Sequence, residues 1–226
     1  MKSIKIAVLV CLLNGTGILN AQESINKTTT DQYPSGIYAT MDDFIMAIPS
    51  DTQTAFTIKV GSDTISHRFY DAASGDRLRK VFAVSHEGNL YFRMKDILKN
   101  MAKEDQNQLK DDGDYHLKAI DISPKYIYFE DYFTSTAAAV WGGAIASAAS
   151  RRLKGLVYNQ ESRKFNLFKN SKDFEKYITM NHPEFLAQLP CKSADEAGTK
   201  RKPHNVDIEL VRFIIFKINQ EARLVN

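Results

Sequence analysis

The chain has 226 residues, with 30 Lys and Arg against 27 Asp and Glu, a formal charge of +3, and 43% hydrophobic residues. That is the profile of an ordinary globular protein, long enough for one domain with a real core. A near-neutral charge with no dense basic stripe excludes a nucleic-acid-binding profile, and two cysteines exclude a disulfide framework.

The first residues have the three parts of a secretory signal. Lys2 and Lys5 form a short positive region, Ile6 to Leu13 an apolar run, and Ala21 a small residue where a peptidase would cut. The apolar run is too short to span a bilayer well, so cleavage is expected over anchoring. Removing residues 1–21 takes two lysines and no acid, which lowers the formal charge from +3 to +1. Cys11 sits in mid-run behind bulky Leu9 and Val10, a poor lipidation context. The mature chain then keeps only Cys191, which reads as a free thiol, a nucleophile or an intermolecular bridge. Export leaves the periplasm, the outer membrane and the extracellular side as destinations.

Residues 22–34 (QESINKTTTDQYP) are polar and read as a disordered lead-in, with a single domain over 35–226. Ser35 to Tyr38 predicts a short strand. Thr40 and Asp43 then form a capping-box pattern ahead of a helix over 41–48 that ends at Pro49. Strands follow at 55–60, 64–71, 78–85 and 90–94, alternating apolar with polar residues and separated by Gly-bearing turns. A helix is expected over 95–103, then a charged loop over 103–114 and strands at 115–122 and 126–130. Leu153–Asn159 and Phe165–Phe168 predict a second hairpin. Ser171–Met180 and Pro183–Leu189 look helical, with Pro183 suited to a helix's first turn, so that helix covers 171–189, and a closing helix is expected over 206–220 after a polar loop over 191–204.

The fold class is therefore α+β. One antiparallel, hairpin-rich sheet is covered by several short helices, and β-β-α units fall at about 81–101 and 155–178. Three strand-to-helix junctions carry an Asp followed by an apolar residue: Asp43-Phe44, Asp96-Ile97 and Asp173-Phe174. A carboxylate there accepts free backbone N–H groups and meets the positive end of the helix dipole.

The run Ser35-Gly36-Ile37-Tyr38 with Asp43-Phe44 resembles the start of small exported proteins of Bacteroidetes-type bacteria. So does Lys80-Val81-Phe82-Ala83-Val84-Ser85 leading into Asn89-Leu90-Tyr91-Phe92. These families are described as domains of unknown function, so the resemblance implies export and a single domain and carries over no site residues. Asp63-Thr64-Ile65 resembles the short O-glycosylation acceptor of the same bacteria, and a plain turn explains the same three residues.

Catalytic signatures are absent: no Gly-x-Ser-x-Gly elbow, Walker loop, His-Glu-x-x-His or Cys-x-x-Cys occurs. His67, His86, His116, His182 and His204 have no His or Cys at metal-ligand spacing and read as surface or turn residues. No cofactor is implied. The carboxylate pairs Asp42/Asp43, Asp111/Asp112 and Glu130/Asp131 are adjacent in sequence and are expected to point apart.

One segment departs from this polar background. Residues 134–150 (TSTAAAVWGGAIASAAS) carry no charge and end at Arg151-Arg152. Gly142, Ala146 and Ser150 recur every fourth residue, with Gly143 and Ser147 in a parallel row beside Trp141, a spacing that lets helices approach closely. The segment would be a helix over 135–150 that packs against the sheet, a helix that meets a membrane or envelope-protein partner, or a flexible loop lining a ligand pocket. Three functions follow as expectations. The first is a non-enzymatic exported envelope protein docking through this segment. The others are a small-ligand binding module with a pocket lined by Tyr38, Phe69, Phe82 and Tyr91, and a hydrolase with an unrecognised site.

Overall fold

Two antiparallel sheets and an outer layer of helices divide the buried side chains into three clusters. The computed structural model describes residues 32–103, 105–106, 113–134, 150–190 and 206–225. The first sheet contains β1 (Gly36–Tyr38), β2 (Phe56–Val60), β3 (Ser66–Asp71), β4 (Ala83–His86), β5 (Asn89–Arg93) and β6 (His116–Lys118), in the order β1-β4-β5-β6-β3-β2. The second contains β7 (Asp121–Ile122), β8 (Tyr126–Phe133), β9 (Arg152–Asn159) and β10 (Lys164–Leu167), in the order β10-β9-β8-β7. The architecture is α+β, with β-β-α units formed by β4, β5 and α2 (Met94–Lys99), and by β9, β10 and α3 (Ser171–Asn181).

The first sheet curls until its edges meet. The Phe56 ring on β2 lies 4.9 Å from the His86 ring on β4, although three strands separate them in sheet order. A bridge between Ile37 and Asp51, with the Ile37 N–H donating to the Asp51 carbonyl at 2.7 Å, ties β1 to the segment entering β2. Strand alternation sends Ile37, Val84, Tyr91 and Phe69 to the concave face, where they form a small core with Val81. The convex face carries Tyr38, Ala83, Phe92 and Leu117 in one register row. That row packs on Ile127, Phe129, Phe133, Leu156, Tyr158 and Phe165 of the second sheet. The Phe92 and Phe129 rings meet edge to face at 5.1 Å, an arrangement that adds about 1 kcal/mol to simple burial.

The second sheet's other face holds Tyr126, Tyr128 and Val157. It is covered by α3, by a 3-10 turn over Pro183–Gln188, and by α4 (Ile208–Val225) through Val211, Ile214, Ile215 and Ile218. Two buried polar clamps seat α4. Arg212 grips Glu130 with two bonds of 2.9 and 2.8 Å, and Tyr128 donates to the same carboxylate at 2.9 Å. Asn219 donates to Asp121 at 2.7 Å and accepts from Ser123 at 2.6 Å, while Arg223 pairs with Asp121.

Several expected boundaries move. The capping box at α1 (Met41–Ile45) is present in both directions, Asp43 N–H to Thr40 Oγ1 at 3.1 Å and Thr40 N–H to Asp43 Oδ2 at 3.0 Å, but the helix stops at Ile45. The helix expected over 95–103 runs over Met94–Lys99. The two pieces expected over 171–180 and 183–189 are Ser171–Asn181 and a 3-10 turn over Pro183–Gln188, parted at His182, because a residue before proline is driven out of the α region; His182 sits at φ −150° and ψ 57°. The strand expected over 78–85 begins only at Ala83. Core packing begins before Ser35, since Tyr33 is buried and stacks on Phe44 at 4.6 Å. The helix expected over 135–150 lies outside the described residues, apart from Ser150.

Candidate functional site

The uncharged segment singled out in the sequence connects the two longest strands of the second sheet. β8 and β9 pair without interruption from Tyr126↔Asn159 to Phe133↔Arg152. The described residues at this end make up a defined rim. Tyr132 points to the helix side and is 37% exposed, with the Arg151 guanidinium 5.4 Å from its ring centre. Ser150 is half-buried, and Trp141, Gly142, Gly143, Ala146 and Ser147 lie outside the described residues.

Beneath this rim lies a buried polar cluster. Asp131 and Lys154 are register partners on the face turned to the first sheet, and both are buried. The Tyr115 hydroxyl donates to Asp131 at 2.5 Å. Lys169 pairs with Asp105 at 2.7 Å. Burial and the neighbouring Lys169 charge push the Lys154 ammonium down to about 8, against the pull of Asp105 and Asp173. Adjacent Glu130 and Asp131 point to opposite faces, as alternation requires. One is engaged by Arg212 and Tyr128, the other by Tyr115, so they are no acid-base pair.

A second feature is an open groove of about 480 Å³ between the β7–β8 turn, the β9–β10 turn and the last turns of α4. Pro124, Ile218 and Ala222 give it apolar surface, and Lys125, Glu161, Glu184 and Glu221 give it charge. His182 closes one side. Its Nε2 accepts from the Tyr126 hydroxyl at 2.8 Å and its Nδ1 donates to Glu184 at 3.2 Å, the tautomer that satisfies both partners. Burial lowers the imidazole's affinity for a proton, partly opposed by Glu184. Tyr126 is only 1% exposed, so this chain of hydrogen bonds presents no nucleophile to solvent.

The histidines correct the expectation of surface residues. His67, His116 and His182 are all buried, and only His86 among the described four is half-exposed; His204 lies outside the described residues. His67 and His116 face each other across β3 and β6 on the concave face, with His67 Nδ1 donating to the Ile65 carbonyl at 2.9 Å. Neither nitrogen of His116 has a well-aligned partner, and the Val81 backbone compensates only partly. The alternation Ser66-His67-Arg68-Phe69 within a strand was the sequence signal for this burial.

The four aromatic residues expected to line one pocket are split between two cores. Tyr38 and Phe82 pack between the sheets, and Phe69 and Tyr91 pack on the concave side of the first. Among the described residues no group of three or more His, Cys, Asp or Glu is arranged to hold a metal ion. No described helix is long and apolar enough to cross a membrane. No protein-family model matches the chain, and no curated protein or solved structure matches it either.

Proposed function

We propose that the protein is an exported, non-enzymatic envelope protein that docks onto a membrane-embedded protein partner through residues 134–150. The observation that carries this reading is the attachment of the uncharged segment. It leaves from Phe133 and returns at Arg152, register partners at the end of the longest strand pair, above a buried polar cluster and beside exposed Tyr132. Such a base fixes Phe133 and Arg152, and small residues at a spacing of four, as in the sequence between them, are the kind that lets helices approach closely. Cations at its exit, Arg151 and Arg152, suit an anionic or polar rim on the partner.

Fractionation of the native host with salt-washed membranes, followed by N-terminal sequencing, tests the reading. A mature chain beginning near Gln22 that stays with the washed membranes supports it. A processed chain in the soluble fraction opposes docking and leaves export standing. The groove beside His182 favours a second reading, a small-ligand module, because its volume lies in the range of ligand sites. A thermal-shift screen of sugars, lipids and peptides against the folded protein tests that alternative.

A further inference from the structure

We propose that the outer face of α4 is a self-association surface, on which a second copy of this chain packs antiparallel about a twofold axis at Phe213. α4 is apolar on two sides. Its inner side buries Val211, Ile214, Ile215 and Ile218 against the second sheet. Phe213 lies on the opposite side and is 51% exposed, with Phe216 at 37% and Leu224 at 82%. At 3.6 residues per turn, Glu209, Phe213, Phe216, Lys217, Gln220 and Leu224 share this outer side. A surface helix normally turns polar residues to water there, and a helix apolar all round is a buried one.

The two aromatic rings are held in place within the chain. Phe216 meets the buried Tyr128 ring edge to face at 6.2 Å, and the Lys217 ammonium lies 4.6 Å from the Phe213 ring centre. Together they present a formed apolar surface that continues outward from the core.

The charges around Phe213 identify its occupant. Glu209 stands four residues before Phe213 and Lys217 four residues after it, about 6 Å along the axis on either side. A twofold at Phe213 brings Glu209 level with Lys217 of the second copy, and Lys217 level with Glu209 of that copy. Two opposite-charge pairs then flank a contact between the two Phe213 rings, and each Phe216 comes level with the half-buried Leu210 across the seam. A parallel pair in the same register would set Glu209 on Glu209 and Lys217 on Lys217, like charges that repel.

Both charges are available for pairing between copies. Arg212, one turn from Glu209, is committed to Glu130 by two bonds. Among the described residues, Lys217 meets the Gln188 amide oxygen at 3.3 Å and the Phe213 ring, both neutral. An isologous contact of this kind uses the same patch on both copies and closes as a dimer. Docking through residues 134–150 is neither required nor excluded by such a pair.

Sedimentation equilibrium of the purified chain over a wide concentration range tests the proposal. The parent should reach twice the chain mass at high concentration and dissociate on dilution. Phe213→Glu, a change at a half-exposed position, should be monomeric throughout and melt with the parent. Glu209→Lys and Lys217→Glu each place like charges together twice and should weaken the dimer about tenfold. Mixed in equal amounts, these two variants should form a heterodimer as tight as the parent dimer, and the chain carrying both changes should regain the homodimer. A dimer that Phe213→Glu leaves intact overturns the proposal, as do single charge reversals without effect. A parent that stays monomeric also overturns it. Flotation of that monomer with phosphatidylethanolamine–phosphatidylglycerol vesicles, lost in Phe213→Glu, would then assign the face to lipid.

Discussion

Phe133 and Arg152 face each other as the last described pair of the β8–β9 ladder, so the 134–151 connection begins and ends at neighbouring points of one rigid hairpin. A connection anchored this way can be removed without asking the rest of the chain to move. Replacing residues 135–150 by Asn-Gly would extend the ladder by one pair, Thr134 with Arg151, and close the strands with a two-residue turn. The far-UV circular dichroism and melting temperature of this variant are expected to stay close to those of the parent chain. A loss of cooperative melting would show that the segment belongs to the core.

Gly155 lies at a close approach of α4 to the second sheet. A Cβ there would meet the Tyr128 hydroxyl at 2.9 Å and Val211 Cγ1 at 3.0 Å. Gly155→Ala should therefore destabilise the fold by about 1–3 kcal/mol through overpacking. Gly155→Val should be worse, and denaturant midpoints measure both.

The Arg212–Glu130 pair joins residues 82 apart in sequence. Glu130 is buried, so Arg212→Met leaves a carboxylate short of its partner and should lose about 2–3 kcal/mol, less than the roughly 3–5 kcal/mol of a fully buried pair because Arg212 is partly exposed. The double variant Arg212→Met, Glu130→Gln should recover part of that loss. Simple addition of the two single effects would contradict the coupling.

Acid should loosen the curled sheet. Burial pushes the His116 imidazole down to about 3, opposed only weakly by Val81 and Asp96 and reinforced by Arg93 and Arg77. The unfolded chain takes up a proton at this site between its ordinary 6.5 and that value, and the folded chain does not. Stability is therefore whole above pH 6.5 and falls as the pH drops towards 3, by at most about 1.4 kcal/mol per unit. His67 and His182, also lowered by burial, act in the same direction. The hydrogen-bonded carboxylates Asp43, Asp51, Asp63 and Asp71 add to acid sensitivity only below their ordinary range near 3.8. Denaturant midpoints between pH 6.5 and 4 should thus fall for the parent chain and fall less for His116→Leu.

Local chemistry was legible in the sequence, and long-range partnership was not. Thr40 and Asp43 cap α1 as the pattern implied, and the Gly- and Asn-bearing turns set off both β-β-α units. The Asp at each helix start proved less uniform. Asp43 closes its box, Asp173 accepts from the cap residue Asn170, and Asp96 pairs with Arg93 at 2.5 Å instead of capping. No local pattern announces that β6 inserts between β3 and β5, or that the chain changes sheets between Lys118 and Asp121. That switch turns one expected sheet into two and makes Phe92 and Phe129 neighbours. The burial of His67 and His116 was half-visible as alternation within strands, but the polar side chain argued the other way. Pairs such as Asn219 with Asp121 form only when α4 folds back across the second sheet, a placement fixed by packing rather than by spacing.

The most direct test of the docking account compares two full-length chains in the native host, the parent and the variant with residues 135–150 replaced by Asn-Gly. Both are followed through salt-washed membrane fractions, with crosslinking from position 141 in the parent. The account predicts that the parent stays with the membranes and crosslinks to one membrane-embedded protein, and that the equally well-folded variant is released to the soluble fraction. A variant that remains with the membranes as the parent does would contradict it.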